Sequence, residues 1–176
     1  RKALHVKAAA VIERLYPDRW FDLAEHCLKG EVKAKAYKYS LLAGRRARES
    51  FANRDALEYY RHALRLSREL GREEERPRIL EEMGDLHNLL GDYDDGLQAY
   101  KSAQDMLGSE ERELHPLALP TLLRKVATIH HKRGDCKRAL DFLREARKLA
   151  GRKPESEEMA RILNEIGWVH QMQGEY

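Results

Sequence analysis

The chain has 176 residues, of which 42% are hydrophobic and 36% charged, with a formal net charge of +3. The apolar share can supply a core, which excludes a wholly disordered chain, and only 11 Gly and 5 Pro argue against an all-β fold built on tight turns. A count of 33 basic against 30 acidic residues is too even to indicate nucleic-acid binding. From the amino terminus, Leu4, Val6, Ala9, Ile12 and Leu15 form an apolar stripe at helical spacing, stopped by Pro17. Trp20, Phe21, Leu23, Ala24 and Leu28 predict a second helix that ends at Gly30.

Beyond this point the chain repeats itself. Met83 to Tyr93, Val126 to Cys136 and Ile166 to Tyr176 align with one another. Each stretch has a small residue (Gly84, Ala127, Gly167) and then a histidine three positions on (His87, His130, His170). A Gly-acid pair follows four positions later at Gly91-Asp92, Gly134-Asp135 and Gly174-Glu175. The small residues are 43 and 40 apart, and another copy lies at Gly44, 40 before Gly84, with Phe51-Ala52-Asn53 in place of the Gly-acid turn.

A second set repeats in step with the first: Ala56, Tyr60 and Ala63, then Gly96, Tyr100 and Ala103, then Ala139, Leu143 and Ala146. Spacings of four and three place each set on one helical face. Gly71, Gly108 and Gly151 close these segments, where left-handed caps are expected. Each unit therefore reads as helix, short turn, helix, longer loop. The small residues mark close helix crossings, since packed helices lie about 8–10 Å apart. Tyr60 and Tyr100 fill the gap between one pair and the next.

This pattern resembles the tetratricopeptide repeat (TPR). Leu80, Met83, Gly84, Gly91, Asp92, Tyr93, Gly96, Tyr100 and Ala103 fill the family pattern in the best copy. The resemblance implies an all-α, right-handed superhelix of antiparallel helix pairs, with about nine helices in all. Residues 1–36 would be an entry pair and residues 37–176 the array, three repeats plus the first helix of a fourth. This sequence departs from the family in its longer period of 40–43, against about 34, in the histidines at the first-helix aromatic position, and in Ala47 at that position of the first unit. The stretch through Leu4-His5, Tyr16, Leu23 to His26, Lys35-Ala36 and Leu41 to Gly44 is similar to the entry into the TPR region of bacterial STAND-type signalling ATPases. The chain opens at Arg1 and stops at Tyr176 within the repeat pattern, so a longer parent is expected.

The residues that invite a chemical reading are best explained by packing. A histidine once per repeat sits at helix-packing distance, about 10 Å, from its equivalents, whereas zinc ligands converge to ~2.0–2.1 Å from one ion. Neither GxxxxGK[ST] nor GxGxxG occurs, so no phosphate cradle is encoded. Cys27 and Cys136 are 109 residues apart without a CxxC and predict a reduced, cytoplasmic chain. The acids Glu73-Glu74-Glu75 and Glu110-Glu111 suit loops and helix starts. Arg45-Arg46, Lys132-Arg133, Lys137-Arg138 and Arg144 to Lys148 read as solvated faces. No catalytic residue, cofactor or metal is expected, and the longest apolar run, Ala8 to Ile12, is far short of a membrane span.

The expected activity is therefore protein–protein interaction. By the resemblance, the first helix of each pair lines a concave groove, with Arg45, Arg48, Glu81, Asp85, Asn88, Arg124, Thr128, His131, Asn164 and Trp168 as its candidate contacts. Its charges are read as exposed and alternating in sign: Arg45 and Arg48, then Glu81 and Asp85, then Arg124. The partner would be a protein or peptide, or another domain of the same chain, and the alternative role is a sensor restraining an ATPase or output domain in cis. The family's carboxylate clamp, a Lys/Asn set, is not reproduced residue for residue. Trp168 and Met172 are expected to be exposed and to leave room for self-association through the last helix.

Overall fold

The computed structural model describes residues 1–108, 115–116 and 118–173. Nine α-helices occur among the described residues: α1 (Lys2–Leu15), α2 (Trp20–Lys29), α3 (Lys33–Glu49), α4 (Asn53–Glu69), α5 (Arg76–Leu90), α6 (Tyr93–Met106), α7 (Ala118–Lys132), α8 (Cys136–Ala150) and α9 (Glu157–Gln173). The acidic run Glu73–Glu75 forms a short 3-10 helix before α5. Among the described residues there is no strand, and the all-α class follows. The chain divides into two compact units, Arg1–Leu86 and His87–Tyr176. The boundary expected after residue 36 lies inside α3.

In the first unit α1 packs on α2, α2 on α3 and α3 on α4. The repeated set on α4 lies where its spacing placed it: Ala56, Tyr60 and Ala63 are all buried. Gly44 on α3 meets this face. A Cβ built there would lie 3.2 Å from the ring of Tyr60, so the crossing is closed to larger residues. The apolar stripe of α1 is less buried than its pattern suggests. Ala9 is buried, but Leu4, Val6 and Leu15 are exposed. Tyr39 and Lys35 of α3 both reach Glu13 at 2.5 Å and fix α1 by polar contacts instead.

In the second unit α6 packs on α7, α7 on α8, and α9 on both α7 and α8. Ala139, Leu143 and Ala146 are buried with Leu123, Ala127, Ile162 and Val169 in one core. His130 is buried and stacks on Phe142, with ring centroids 5.4 Å apart, and His87 is buried as well. Both behave as polar-tipped aromatics. Pro120 stands in the first turn of α7, where its missing N–H removes no helix bond. Asp135 caps α8 by accepting from the Arg138 amide at 3.1 Å, and Ser156 accepts from the Met159 amide at 3.2 Å at the start of α9.

The short turns share one backbone device. Glu31, Phe51, Gly71, Gly91 and Gly134 all have positive φ. The next amide bonds back five residues in every case, as in Val32 to Cys27, Ala52 to Ala47, Arg72 to Ser67, Asp92 to His87 and Asp135 to His130. This is the Schellman ending, which satisfies helix carbonyls and reverses the chain. Sequence placed a left-handed cap at Gly71 and turns at Gly91 and Gly134, but did not identify Glu31 or Phe51, which adopt the left-handed conformation at φ 56° and 60°. Gly151 departs from expectation. Its φ is −56°, and its amide bonds to Arg147, so α8 ends without a left-handed residue. Helix α6 ends with Leu107 extended at φ −72° and ψ 101°. The turn expected at Gly174-Glu175 and the acids Glu110-Glu111 lie outside the described residues.

Candidate functional site

In the first unit, α3, α4 and the start of α5 enclose an open cavity of about 240 Å³. Helix α3 contributes Tyr37, Leu41 and Arg45 to its wall, one residue per turn along one face. Tyr60 of α4 and Arg78, Ile79 and Glu82 of α5 complete it, with Glu74 and Glu75 at the 3-10 turn. Leu41 and Ile79 make part of the wall aliphatic, so the cavity is amphipathic.

Its polar groups fall into two sets. The Tyr37 hydroxyl donates to Glu75 at 2.7 Å, and Arg72 pairs with the same carboxylate at 2.8 Å. The bond from Tyr37, together with Arg72, holds the Glu75 pKa below its ordinary value, while burial and Glu75 push Tyr37 up. Arg48 donates to Glu82 and lies 3.9 Å from Asp85. Arg45 and Arg78, by contrast, have neither an ion pair nor a side-chain hydrogen bond among the described residues. The Tyr60 hydroxyl is buried and has no hydrogen-bond partner among the described residues. Burial pushes its pKa up to about 12.

The second unit disposes of its charges differently. Arg124 was expected on the open face, but it is 9% exposed. Its Nε donates to Glu158 at 2.6 Å and one terminal nitrogen to Glu165 at 2.8 Å. Burial works against the charge on Arg124, but the bonds to the two carboxylates outweigh it and raise the guanidinium pKa. Thr128 donates to the other oxygen of Glu165 at 2.8 Å. Asn88 accepts from Lys132 at 2.8 Å. His131 is partly buried with Nδ1 unpartnered. Asn164 is exposed, and Trp168 is 59% exposed with Met172 at 70%.

The alternating-sign row is therefore not a set of free charges. Arg48 and Arg124 reach acids on the first helix of the following pair and neutralise them. Each does so at a separation of 34 residues, Arg48 to Glu82 and Arg124 to Glu158. That spacing was present in the sequence and was the signal that could have revealed the pairs. Glu81 and Asp85 are engaged as well. Of the residues named from sequence, Arg45, Asn164 and Trp168 keep exposed side chains that are unpaired among the described residues. Tyr60 is the cavity residue whose importance sequence reasoning missed, because it assigned that residue only to packing, whereas Arg78 reads from the sequence as facing the groove.

Among the described residues no group of three His, Cys, Asp or Glu converges to hold a metal ion, and no helix is long and apolar enough to cross a membrane. Cys27 is buried and Cys136 partly buried, and both are free.

Residues 118–176 match the family model of the tetratricopeptide repeat. No curated protein matches the chain. Among solved structures, the chain is similar to BtubC (BKLC) from P. vanneervenii, with a TM-score of 0.62 and 20% identity, over 98% of this chain and 64% of that one. It is similar to the apo form of RapI, with a TM-score of 0.61 and 14% identity, over 98% of this chain and 69% of RapI. It is also similar to MamA, with a TM-score of 0.54 and 11% identity, over 86% of this chain and 90% of MamA. These likenesses are of fold. The chain thus has the helix-pair architecture of TPR proteins, and residues 118–176 carry the repeat in sequence as well. The family match leaves the amino-terminal likeness to STAND-type ATPases outside its span.

Proposed function

We propose that this chain is a protein-binding module and that the first unit binds a protein or peptide segment on the face formed by α3 and α5. The observation that carries this is the amphipathic cavity, where Leu41 and Ile79 line the wall with Arg45 and Arg78, two cations with neither an ion pair nor a side-chain hydrogen bond among the described residues. Helix-pair repeats present side chains along extended faces, and each pair contacts only its neighbours, so such faces can bind without disturbing the core. Arg45 is the primary contact carried forward from the sequence. Arg48 shapes the same face through its pairing with Glu82 and Asp85. On the second unit, Asn164 and Trp168 offer a separate contact area, with Trp168 as its aromatic anchor.

A photo-crosslinking residue placed at Leu41 tests this reading. The expected result is capture of one partner at Leu41 that Arg45→Glu abolishes, with none from Arg61, an exposed α4 position that does not line the cavity. Equal capture from Arg61, insensitive to Arg45→Glu, would place binding elsewhere.

A further inference from the structure

Three side chains lining the cavity of the first unit carry donors without acceptors among the described residues. Arg45 lines the cavity from α3 and Arg78 from α5, and neither has a carboxylate partner among the described residues. On α4, the Tyr60 ring is seated on Gly44, and its hydroxyl, in a residue 1% exposed, is unsatisfied among the described residues. Native proteins rarely leave a buried hydroxyl unpaired, because its lost hydration is not replaced. The nearby acids do not fill the gap. Glu82 is held by Arg48, and Glu75 is held by Tyr37 and Arg72. Glu74 stands exposed where the 3-10 turn meets the cavity. Two guanidiniums and a phenol that no carboxylate among the described residues engages line one small cavity and form a donor set suited to an oxyanion. About 240 Å³ admits one side chain, and Leu41 and Ile79 offer an apolar wall to its methylenes.

We propose that this cavity is a subsite for an oxyanion on a partner's side chain, a carboxylate or a phosphate ester, held between Arg45 and Arg78 with the Tyr60 hydroxyl as third donor. This rests on the protein-binding reading of the same face and specifies the chemistry it selects. The planar forks of Arg45 and Arg78 supply paired N–H donors to either group. The two sources differ in charge, so their relative affinities identify which one the subsite favours.

The test uses the whole 176-residue chain and observes the arginine Nε–Hε signals by NMR. The probes are three blocked peptides of one sequence, carrying Glu, phosphoserine or Gln at the centre. Saturable shifts of Arg45 and Arg78 with the Glu or phosphoserine peptide, at least fivefold weaker with Gln, are expected. The stronger anionic peptide names the source. Arg45→Gln and Arg78→Gln should each weaken that peptide at least fivefold. Tyr60→Phe keeps the ring on Gly44 and should weaken it at least threefold without lowering Tm. The proposal is overturned if neither anionic peptide saturates, or if the arginine variants bind as well as the parent chain. A fall in Tm with Tyr60→Phe also overturns it, because the hydroxyl would then have a partner within the fold. No anion binding together with intact capture at Leu41 removes the subsite but leaves the interaction reading standing. Loss of both removes both.

Discussion

Arg124 shows how far packing can reverse what a sequence suggests about a charge. On the pattern alone, reversing Arg124 would alter only a surface. In the structure its side chain is 11% exposed, Glu158 is 8% and Glu165 is 27%. Removing one partner of a buried pair leaves the other charge desolvated and uncompensated, at a cost of about 3–5 kcal/mol. Glu165 is partly hydrated and Glu158 lies in the first turn of α9, where the helix dipole favours an acid. Both facts point to the lower end, about 3 kcal/mol for Arg124→Met. At about 2–4 °C per kcal/mol for a chain of this size, the expected fall in Tm is roughly 6–12 °C. Arg124→Glu should cost more, since it puts three carboxylates together. Adding Glu158→Gln to Arg124→Met should recover part of the loss, with a coupling of at least about 1 kcal/mol in a double-mutant cycle. Arg144→Met is the control. Arg144 pairs with Asp141 at an exposed site, and its loss should stay within about 0.5 kcal/mol. Urea denaturation followed by circular dichroism measures all of these. If Arg124→Met and Arg144→Met unfold at the same midpoint, the buried cluster does not contribute as argued.

Other perturbations follow from the same geometry. Phe51 holds φ 60° with its side chain 87% exposed, so Phe51→Gly should relieve left-handed strain of about 1–2 kcal/mol and gain roughly 0.5–1 kcal/mol net after the entropy cost of glycine; a lower Tm would count against the turn assignment. Gly44 and Gly167 share one repeat position but should respond with opposite sign. Gly44→Val forces Tyr60 aside and should cost about 1–3 kcal/mol, whereas a Cβ at Gly167 meets nothing within 4 Å among the described residues, so Gly167→Ala should gain about 0.5–1 kcal/mol. Ala103 is fully buried, and Ala103→Trp should cost ~1–3 kcal/mol or more; an unchanged melting temperature would refute the repeat register. Burial holds the His130 pKa below its ordinary 6.5, partly offset by Asp135. Protonation therefore favours the unfolded chain, and this contribution, complete above about pH 6.5, should be lost progressively as pH falls. Thermal melts between about pH 7.5 and about pH 5.5 should show a shallower slope for His130→Phe than for the parent; equal slopes would exclude His130 as a source.

The candidate face divides along the same line as these predictions. Arg45 could be chosen from sequence because its helical phase sets it apart from Ala43, Gly44 and Ala47, all buried. Its lack of a partner could not, because that depends on what α4 and α5 bring beside it. Arg48 occupies the same face yet is paired, and nothing in its local sequence distinguishes it from Arg45. Tyr60 was legible as a packing residue, but its orphaned hydroxyl appears only when every nearby donor and acceptor has a position.

Helix periodicity and small-residue spacing are local properties of the chain. They were enough to set the helical class, the helix pairs, the burial of Ala56, Tyr60 and Ala63, the turns at Gly91 and Gly134 and the left-handed cap at Gly71, though not the ending at Gly151. Glycine announces positive φ because it lacks a Cβ. Glu31 and Phe51 adopt the same conformation without that signal, because the Schellman bonds and flanking helices hold them there. Charge pairing lies at the far end of this scale. Long side chains choose partners among residues brought together from 34 to 41 positions away, and burial then decides whether a charge is a surface feature or part of the core. The register between neighbouring helix pairs fixes those distances, and only the folded structure supplies it.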